Sequence, residues 1–153
     1  MILEYVVKNL SLYKTVRQVL KIEFNMSNRL ITKLKKNKCI LLNGNETYLD
    51  KMLSINDVIS CDLNCEESSD NIIPTKMDLN IIYEDDSLLI INKAPNIAVH
   101  PSILHYENSL ANGVKYYFES IGLNKKIRPV NRLDKDTSGL VIFAKNEYIQ
   151  ECL

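Results

Sequence analysis

The chain has 153 residues, of which 46% are hydrophobic and 25% are charged. This balance excludes a disordered segment and is typical of a globular protein, long enough for one ordinary domain or two small ones. The formal net charge is zero, so the overall charge excludes no class of partner. Residues 1–8 lack the charged segment and apolar core of a signal peptide, and no apolar run is long enough to cross a bilayer. We therefore expect a cytoplasmic protein without a membrane span.

Charge is unevenly distributed along the sequence. Residues 14–51 contain nine Lys or Arg and three Asp or Glu, a balance of +6. Residues 62–87 contain one Lys and eight Asp or Glu, a balance of −7. Such an asymmetry indicates a basic binding surface and a separate acidic region. Solvated faces that happen to differ in charge would give the same pattern, and charge alone does not separate the two interpretations.

The first part of the chain predicts a strand and two helices. Residues 1–8 are mostly apolar and predict a strand. Thr15 and Gln18 have the spacing of a capping box, which favours the start of a helix at this point. Ser27 can cap a second helix. The apolar face of that helix is predicted to consist of Leu30, Ile31 and Leu34.

A small hairpin is predicted after the two helices. Residues 39–42 form a short apolar run, and Asn43 and Gly44 follow it as a turn signal, because both residue types tolerate positive φ. A further strand is predicted over residues 57–63. Residues 12–63 thus have the pattern of a small αα-β domain.

A polar and acidic segment, residues 64–77, is predicted to be a linker. A second unit is expected over residues 78–153. Its predicted strands and helices lie at residues 79–83, 88–92, 109–120, near Val130, at 140–144 and at 147–153.

The most informative segment of the second unit lies between two predicted strands. Arg132 and Asp134 flank a single apolar residue, residues 136–139 supply turn chemistry, and an apolar strand follows. On an extended backbone, side chains two residues apart point to the same side. A neighbouring guanidinium favours an ionised carboxylate, and such a carboxylate can act as a nucleophile or a base. Asp134 is therefore a candidate catalytic residue, although a purely structural turn remains an alternative.

Metal binding is not expected. Residues 134–139 match the first half of a calcium loop, but the position that should supply a bidentate Glu is Lys145, and the flanks predict strands. A zinc site would have to use Cys61, Cys65, His100 and His105. These residues lack the usual ligand spacing. We therefore expect neither calcium nor zinc.

Residues 15–63 resemble the S4 RNA-binding domain. The resemblance lies in the order of four segments, residues 16–20, 27–31, 40–44 and 55–59. It implies that cations on the helix pair meet the phosphates and 2′-hydroxyls of structured RNA. The residues proposed for this contact are Arg17, Arg29, Lys33, Lys36 and Lys38. Lysines that only make a helix soluble would give the same positive charge. The prediction of RNA binding therefore depends on the order of the elements and not on the charge.

Residues 132–140 resemble the signature of the RluA-type pseudouridine synthases. The resemblance continues in residues 82–95, in Val99-His100-Pro101 and in Ala144-Lys145-Asn146. An S4 domain before the catalytic domain is also a frequent arrangement in that family. Together these matches cover about residues 12–153. They imply the α+β fold class: a small S4-type αα-β domain followed by the N-terminal part of a pseudouridine synthase catalytic domain, which has a mixed or antiparallel sheet.

The resemblance implies isomerisation of uridine to pseudouridine in RNA, without cofactor or metal. Asp134 would be the essential carboxylate, as nucleophile or as base, and Arg132 would hold it or contact the flipped nucleotide. One position departs from the family, which commonly has His where this chain has Asn131. That departure forbids a proton-transfer role there. Because Pro101 follows His100, we expect His100 to be structural.

The chain also departs from the family in length, since the family's catalytic domain continues well beyond the motif. We therefore expect a truncation within the catalytic domain. The resemblance suggests large-subunit ribosomal RNA as the substrate. A non-catalytic S4-type RNA-binding module and a truncated product without activity of its own remain alternatives.

Overall fold

The computed structural model describes residues 1–64, 71–102 and 106–153. The described part of the chain divides into two compact units. The N-terminal unit comprises residues up to Asn64, and the C-terminal unit begins at Asn71. Six residues of the predicted linker, 65–70, lie outside the described residues. No helix in the described part of the chain is long and apolar enough to cross a membrane.

The N-terminal unit contains a four-stranded antiparallel sheet in the order β1-β4-β2-β3. Its strands are β1 (Ile2–Val6), β2 (Ile40–Leu42), β3 (Asn45–Glu46) and β4 (Val58–Asp62). The predicted turn joins β2 to β3, with Asn43 and Gly44 both at positive φ. The Asn43 side chain accepts from the Val58 amide at 2.8 Å and so ties the turn to β4.

The helices of the N-terminal unit begin at the predicted capping residues. Thr15 and Gln18 form the capping box of α1 (Val16–Gln18), which continues as a π-helical segment, Val19–Glu23. Ser27 accepts from the Leu30 amide at 3.1 Å and caps α2 (Asn28–Lys36). The predicted apolar face of α2 is buried. The π-helical turn was not predicted, because the hydrophobic spacing of so short a segment does not separate the two helix types.

The C-terminal unit has a three-stranded antiparallel sheet in the order β5-β6-β7. Its strands are β5 (Ile81–Glu84), β6 (Leu88–Lys93) and β7 (Gly139–Ala144). Asp85 shapes the turn between β5 and β6, since its carboxylate accepts from the amides of Ser87 and Leu88, both at 2.7 Å. The mixed α/β composition and the antiparallel sheets agree with the predicted fold class.

Two helices complete the C-terminal unit. Helix α3 (Leu110–Ser120) begins with a capping box between Ser109 and Asn112, and α4 (Glu147–Cys152) follows the cap at Asn146. Apolar residues of α3 and of one sheet face share a buried core. The fully or almost fully buried members include Leu89, Ile91, Val114, Phe118, Val141 and Phe143. This core holds β6 and β7 in place, and the predicted catalytic residues lie near the ends of these two strands.

The strand predicted near Val130 is present only as a short edge segment. Pro129 forms an isolated bridge with Phe143, and the Val130 amide donates to the Ile142 carbonyl at 2.8 Å. Proline has no amide hydrogen, so it cannot continue a regular ladder. The segment nevertheless runs alongside β7 and leads directly into the residues around Asp134.

An ion pair joins β5 to the end of β7. The Lys145 ammonium lies 2.8 Å from Glu84 Oε1 and also donates to the Asp85 carbonyl, while the Tyr117 hydroxyl donates to Glu84 at 2.6 Å. Partial burial raises the pKa of Glu84, but the hydrogen bonds from Lys145 and Tyr117 outweigh it and hold that pKa below its usual value. The folded state therefore favours the ionised carboxylate.

Low pH should remove the stabilisation that the ionised Glu84 carboxylate gives to the folded state. A lowered folded-state pKa contributes stability above the unfolded-state pKa of about 4.3, and this contribution is lost as the pH falls through the folded-state value. We expect Glu84→Gln to destabilise the protein at pH 7 and to flatten the decline of unfolding free energy below about pH 5. Urea unfolding across this pH range measures both effects. An unchanged pH dependence in Glu84→Gln, compared with the exposed control Glu107→Gln, would contradict the assignment.

Candidate active site

The predicted catalytic residues lie in a loop between the edge segment and β7. We call residues 131–138 the Asp134 loop. Arg132 and Asp134 are both exposed, and the Thr137 amide closes a turn by donating to the Asp134 carbonyl at 3.1 Å. The turn follows from the composition of the loop, because Asp, Thr, Ser and Gly favour tight turns. Asp134 thus projects from a short loop held between elements of the sheet.

Arg132 and Asp134 line the same cleft, which has a volume of about 320 Å³. Leu133 and Lys135 also line this cleft, together with residues 98–102. The structure therefore brings together the two residues that the sequence selects for catalysis. Among the described residues no ion pair joins Arg132 to Asp134, so the predicted guanidinium–carboxylate contact is not formed. Both side chains remain available to a molecule bound in the cleft.

His100 is an exposed residue on the wall of this cleft. The sequence indicates a structural role for it because of the adjacent Pro101. The geometry adds that the His100 imidazole lines the same cavity as Asp134. His100 therefore belongs to the candidate site by position.

Lys93 is a functional candidate that the sequence reasoning missed. It is only 1% exposed, and its ammonium donates to three backbone carbonyls, those of Ala94 at 3.0 Å, Ile97 at 2.8 Å and Lys135 at 2.9 Å. Burial lowers the pKa of Lys93, and the carboxylates of Asp136 and Asp134 partly offset this effect. A buried cation is costly unless it is hydrogen-bonded, so three converging carbonyls explain how it is tolerated.

Asn131, which departs from the resemblance, holds the start of the Asp134 loop against β7. Its Nδ2 donates to the Leu140 carbonyl at 2.9 Å, and its Oδ1 accepts from the Ile142 amide at 2.8 Å. The Asn131 carboxamide thus supplies one donor and one acceptor to β7, as a backbone N–H and C=O would, at the point where the edge segment stops pairing with β7. The amide suits this position because it donates and accepts at the same time.

Gly139 closes the Asp134 loop at a backbone conformation that other residues rarely adopt, with φ at +141°. An added Cβ would lie 3.4 Å from Leu133 Cδ1, an ordinary contact, so space does not exclude alanine. Alanine is instead disfavoured by the backbone strain that a side chain causes at this positive φ. We expect Gly139→Ala to lower the free energy of unfolding by about 1–3 kcal/mol in urea titrations. The adjacent Ser138→Ala is the control; equal stability of the two variants would refute this explanation.

The residues predicted to bind RNA lie in the N-terminal unit and fall into two groups. Arg29, Lys33 and Lys36 are spaced i, i+4 and i+7 on α2, and so lie on one helical face. We call these three residues the basic stripe. Arg17 instead pairs with Asp50 at 3.2 Å, and Lys38 pairs with Glu46 at 3.0 Å. The structure therefore places three of the five predicted residues on one face of α2, and it places Arg17 and Lys38 elsewhere in the unit.

Metal ligands are not clustered in the described residues. Within the ranges 1–64, 71–102 and 106–153, no group of three or more His, Cys, Asp or Glu residues could hold a metal ion. Cys65 and His105, which the rejected zinc site would have needed, lie outside those ranges.

The segment that lines the cleft is similar to a known protein family. The RNA pseudouridylate synthase family matches residues 87–153, which include β6, the Asp134 loop and β7. Residues 87–153 are therefore similar to the RNA pseudouridylate synthase family, and individual RNA pseudouridine synthases match longer stretches of this chain.

The individual relatives show how far the similarity extends. Ribosomal large subunit pseudouridine synthase D of Blochmanniella floridana is 50% identical over 78 residues, which is 50% of this chain and 24% of the relative. The uncharacterized RNA pseudouridine synthase YjbO of Bacillus subtilis is 32% identical over 132 residues, 86% of this chain and 47% of the relative. The chain thus spans less than half the length of these curated relatives.

A solved structure also matches part of the chain. Human RNA Pseudouridylate Synthase Domain Containing 1 aligns with a TM-score of 0.38 and 23% identity, covering 48% of this chain and 25% of that one.

Proposed function

We propose that this chain is the RNA-binding and substrate-contacting part of an RluA-type RNA pseudouridine synthase. The main support for this proposal is that Asp134 is exposed in a cleft together with Arg132, within the segment that matches the pseudouridine synthase family. The names of the relatives support ribosomal RNA of the large subunit as the substrate. That substrate would place the protein in the cytoplasm.

The proposed reaction is an isomerisation within one nucleotide. The C1′–N1 glycosidic bond breaks, the uracil turns, and a C1′–C5 bond forms. The proton on C5 is released, and N1 takes up a proton, so the product has the composition of the substrate. Asp134 would act in this sequence either as a nucleophile or as a base toward the sugar, and both roles need the ionised carboxylate.

The cleft suits a nucleotide that has left the base stack. Unstacking a nucleotide costs a few kcal/mol, so the cleft must supply compensating contacts. Arg132 supports this proposal because it is an exposed residue that lines the cleft with Asp134 and carries a planar, cationic guanidinium. His100 and Lys135 add polar groups around the opening. We assign Arg132 to the flipped nucleotide or the adjacent phosphate.

The N-terminal unit is proposed to bind RNA in the manner of an S4 domain. Its support is the basic stripe on α2, where three cations share one face. Cations on a rigid face recognise phosphates, and their contribution falls as salt rises. We expect the triple variant Arg29→Ala, Lys33→Ala and Lys36→Ala to reduce the salt-dependence slope of log affinity by about 2 to 3. Filter binding to a ribosomal RNA transcript at several salt concentrations measures this slope.

A control variant with the same change in net charge distinguishes the contribution of the basic stripe to RNA affinity from the contribution of total charge. The exposed residues Lys8, Lys14 and Lys21 of the same unit can be changed together to Ala. An equal loss of slope in both triple variants would show that net charge, and not the stripe, governs RNA affinity.

A non-catalytic RNA-binding module is the second candidate function. The basic stripe favours it independently of Asp134. Incubation of the chain with an unmodified large-subunit ribosomal RNA transcript, followed by nucleoside chromatography, separates the two candidates. New pseudouridine supports the enzyme. RNA binding at full affinity without any pseudouridine supports the module and contradicts the proposed enzyme activity of this chain.

A further inference from the structure

We propose that Lys93 and Asn131 are positioning residues that fasten the Asp134 loop on both sides of Asp134 and so fix its carboxylate in the cleft. Neither residue lines the cleft: Lys93 donates to a backbone carbonyl of the loop, and Asn131, the first residue of the loop, bonds to the backbone of β7. The inference rests on the proposed function, since it assigns these residues to the positioning of a catalytic group. Its physical content, a rigid loop, is testable without catalysis.

The first attachment is the Lys93 ammonium. It donates to the Lys135 carbonyl, one residue beyond Asp134, and to the carbonyls of Ala94 and Ile97. The latter two residues belong to the segment that leads from β6 to the cleft wall at Ala98 and Val99. A single buried cation therefore bonds to both chain segments that contribute lining residues to the cleft. Three converging bonds from one group leave little freedom to the Lys135 peptide.

The position of Lys93 follows from the strand that carries it. Side chains alternate along β6, so Leu89, Ile91 and Lys93 lie on the same buried face. In addition, Lys93 pairs in register with Gly139, the residue that ends the loop. A lysine where the alternation requires an apolar residue costs stability, because its charge must be desolvated. Here the cost is offset by carbonyls of the structure that surrounds Asp134.

The second attachment is the Asn131 carboxamide. It bonds to β7 through both of its polar atoms, three residues before Asp134. In addition, the Thr137 amide donates to the Asp134 carbonyl and closes the turn that contains Lys135. The loop is thus held on both sides of Asp134 and within its own turn. Catalytic groups need this support, because small displacements of a reacting atom are costly to the rate.

The charge of Lys93 adds an electrostatic link to the same loop. Both Asp136 and Asp134 interact with the ammonium strongly enough to offset part of the effect of burial on the pKa of Lys93. An ordinary structural lysine far from the site would not respond to a change at Asp134. The response of Lys93 to Asp134→Asn is therefore a signature of this arrangement that a merely structural role would not produce.

The test is amide hydrogen exchange of the intact chain, measured by NMR. In Lys93→Met, the Thr137 amide is expected to exchange at least about tenfold faster, a change that corresponds to the loss of about one hydrogen bond. In Asn131→Leu, the same acceleration is expected at the Ile142 amide, which loses its acceptor. The exposed Lys76→Met is the matched control and should change neither amide.

A second measurement covers the case in which Lys93→Met does not fold. In the wild-type chain, the Lys93 ammonium should appear as a slowly exchanging 15N-linked resonance, and Asp134→Asn should shift it and lower the pKa of Lys93 further. Absence of such a resonance, or of any response to Asp134→Asn, would overturn the proposal. So would unchanged exchange in folded Lys93→Met and Asn131→Leu. If exchange accelerates while the wild-type chain forms no pseudouridine, positioning stands and the proposed enzyme activity fails.

Discussion

The variant Asp134→Asn is expected to form pseudouridine at least about 10³-fold more slowly than the wild-type chain. The amide keeps the size of the side chain but has neither the charge nor the nucleophilic oxygen of a carboxylate. Asp134 is exposed in the cleft, and its side chain has no role in the apolar core, so folding should be unaffected. Chromatography of nucleosides from digested RNA, which separates pseudouridine from uridine, measures the rate.

The matched control is Asp78→Asn, an exposed aspartate of the same unit outside the cleft. It should keep the wild-type rate. RNA affinity, measured in parallel, should be the same in both variants within about threefold, because the proposed affinity resides in the N-terminal unit. Equal loss of activity in the two variants would assign the effect to charge and not to Asp134.

Phe143→Ala should have the largest effect on stability, a loss of about 3–5 kcal/mol in the free energy of unfolding. Phe143 is fully buried in β7, in the core shared with α3. Truncation removes a large apolar side chain and leaves a cavity between the sheet and the helix. Since β7 starts directly after the Asp134 loop, the variant should also show faster amide exchange in that loop. Urea unfolding followed by circular dichroism measures the loss.

Leu140→Ala provides the control in the same strand. Leu140 lies on the opposite face of β7 and is 53% exposed, so its truncation should cost less than about 1 kcal/mol. If both substitutions destabilise the protein equally, the sheet is not packed against α3 as described.

The local signals in the sequence predicted the parts of the fold that depend on local chemistry. Thr15, Ser27 and Ser109 cap helices because their hydroxyls accept from amides of the first turn, which is a property of neighbouring residues. The turn at Asn43 likewise follows from residues that tolerate positive φ. Asp134 and Arg132 were selected by spacing and by resemblance, and the structure places both in one cleft.

The features that the sequence did not reveal depend on contacts distant along the chain. Lys93 reaches the Lys135 carbonyl across 42 positions, and sequence spacing carries no information about such an acceptor. One signal was available, since the alternation along β6 places Lys93 on the buried face. The ion pairs of Arg17 with Asp50 and Lys38 with Glu46 were missed for the same reason. The sequence shows only how charged residues are distributed along the chain, whereas these ion pairs form between segments that folding brings together.

Tritium release from ribosomal RNA labelled at uridine C5 tests most directly that Asp134 is the catalytic carboxylate of an RNA pseudouridine synthase. Formation of the C1′–C5 bond expels the hydrogen of C5, so each isomerised uridine should release one tritium. We predict release by the wild-type chain in proportion to the pseudouridine formed, and no release above background by Asp134→Asn. Equal release by the wild-type chain and Asp134→Asn would contradict the assignment.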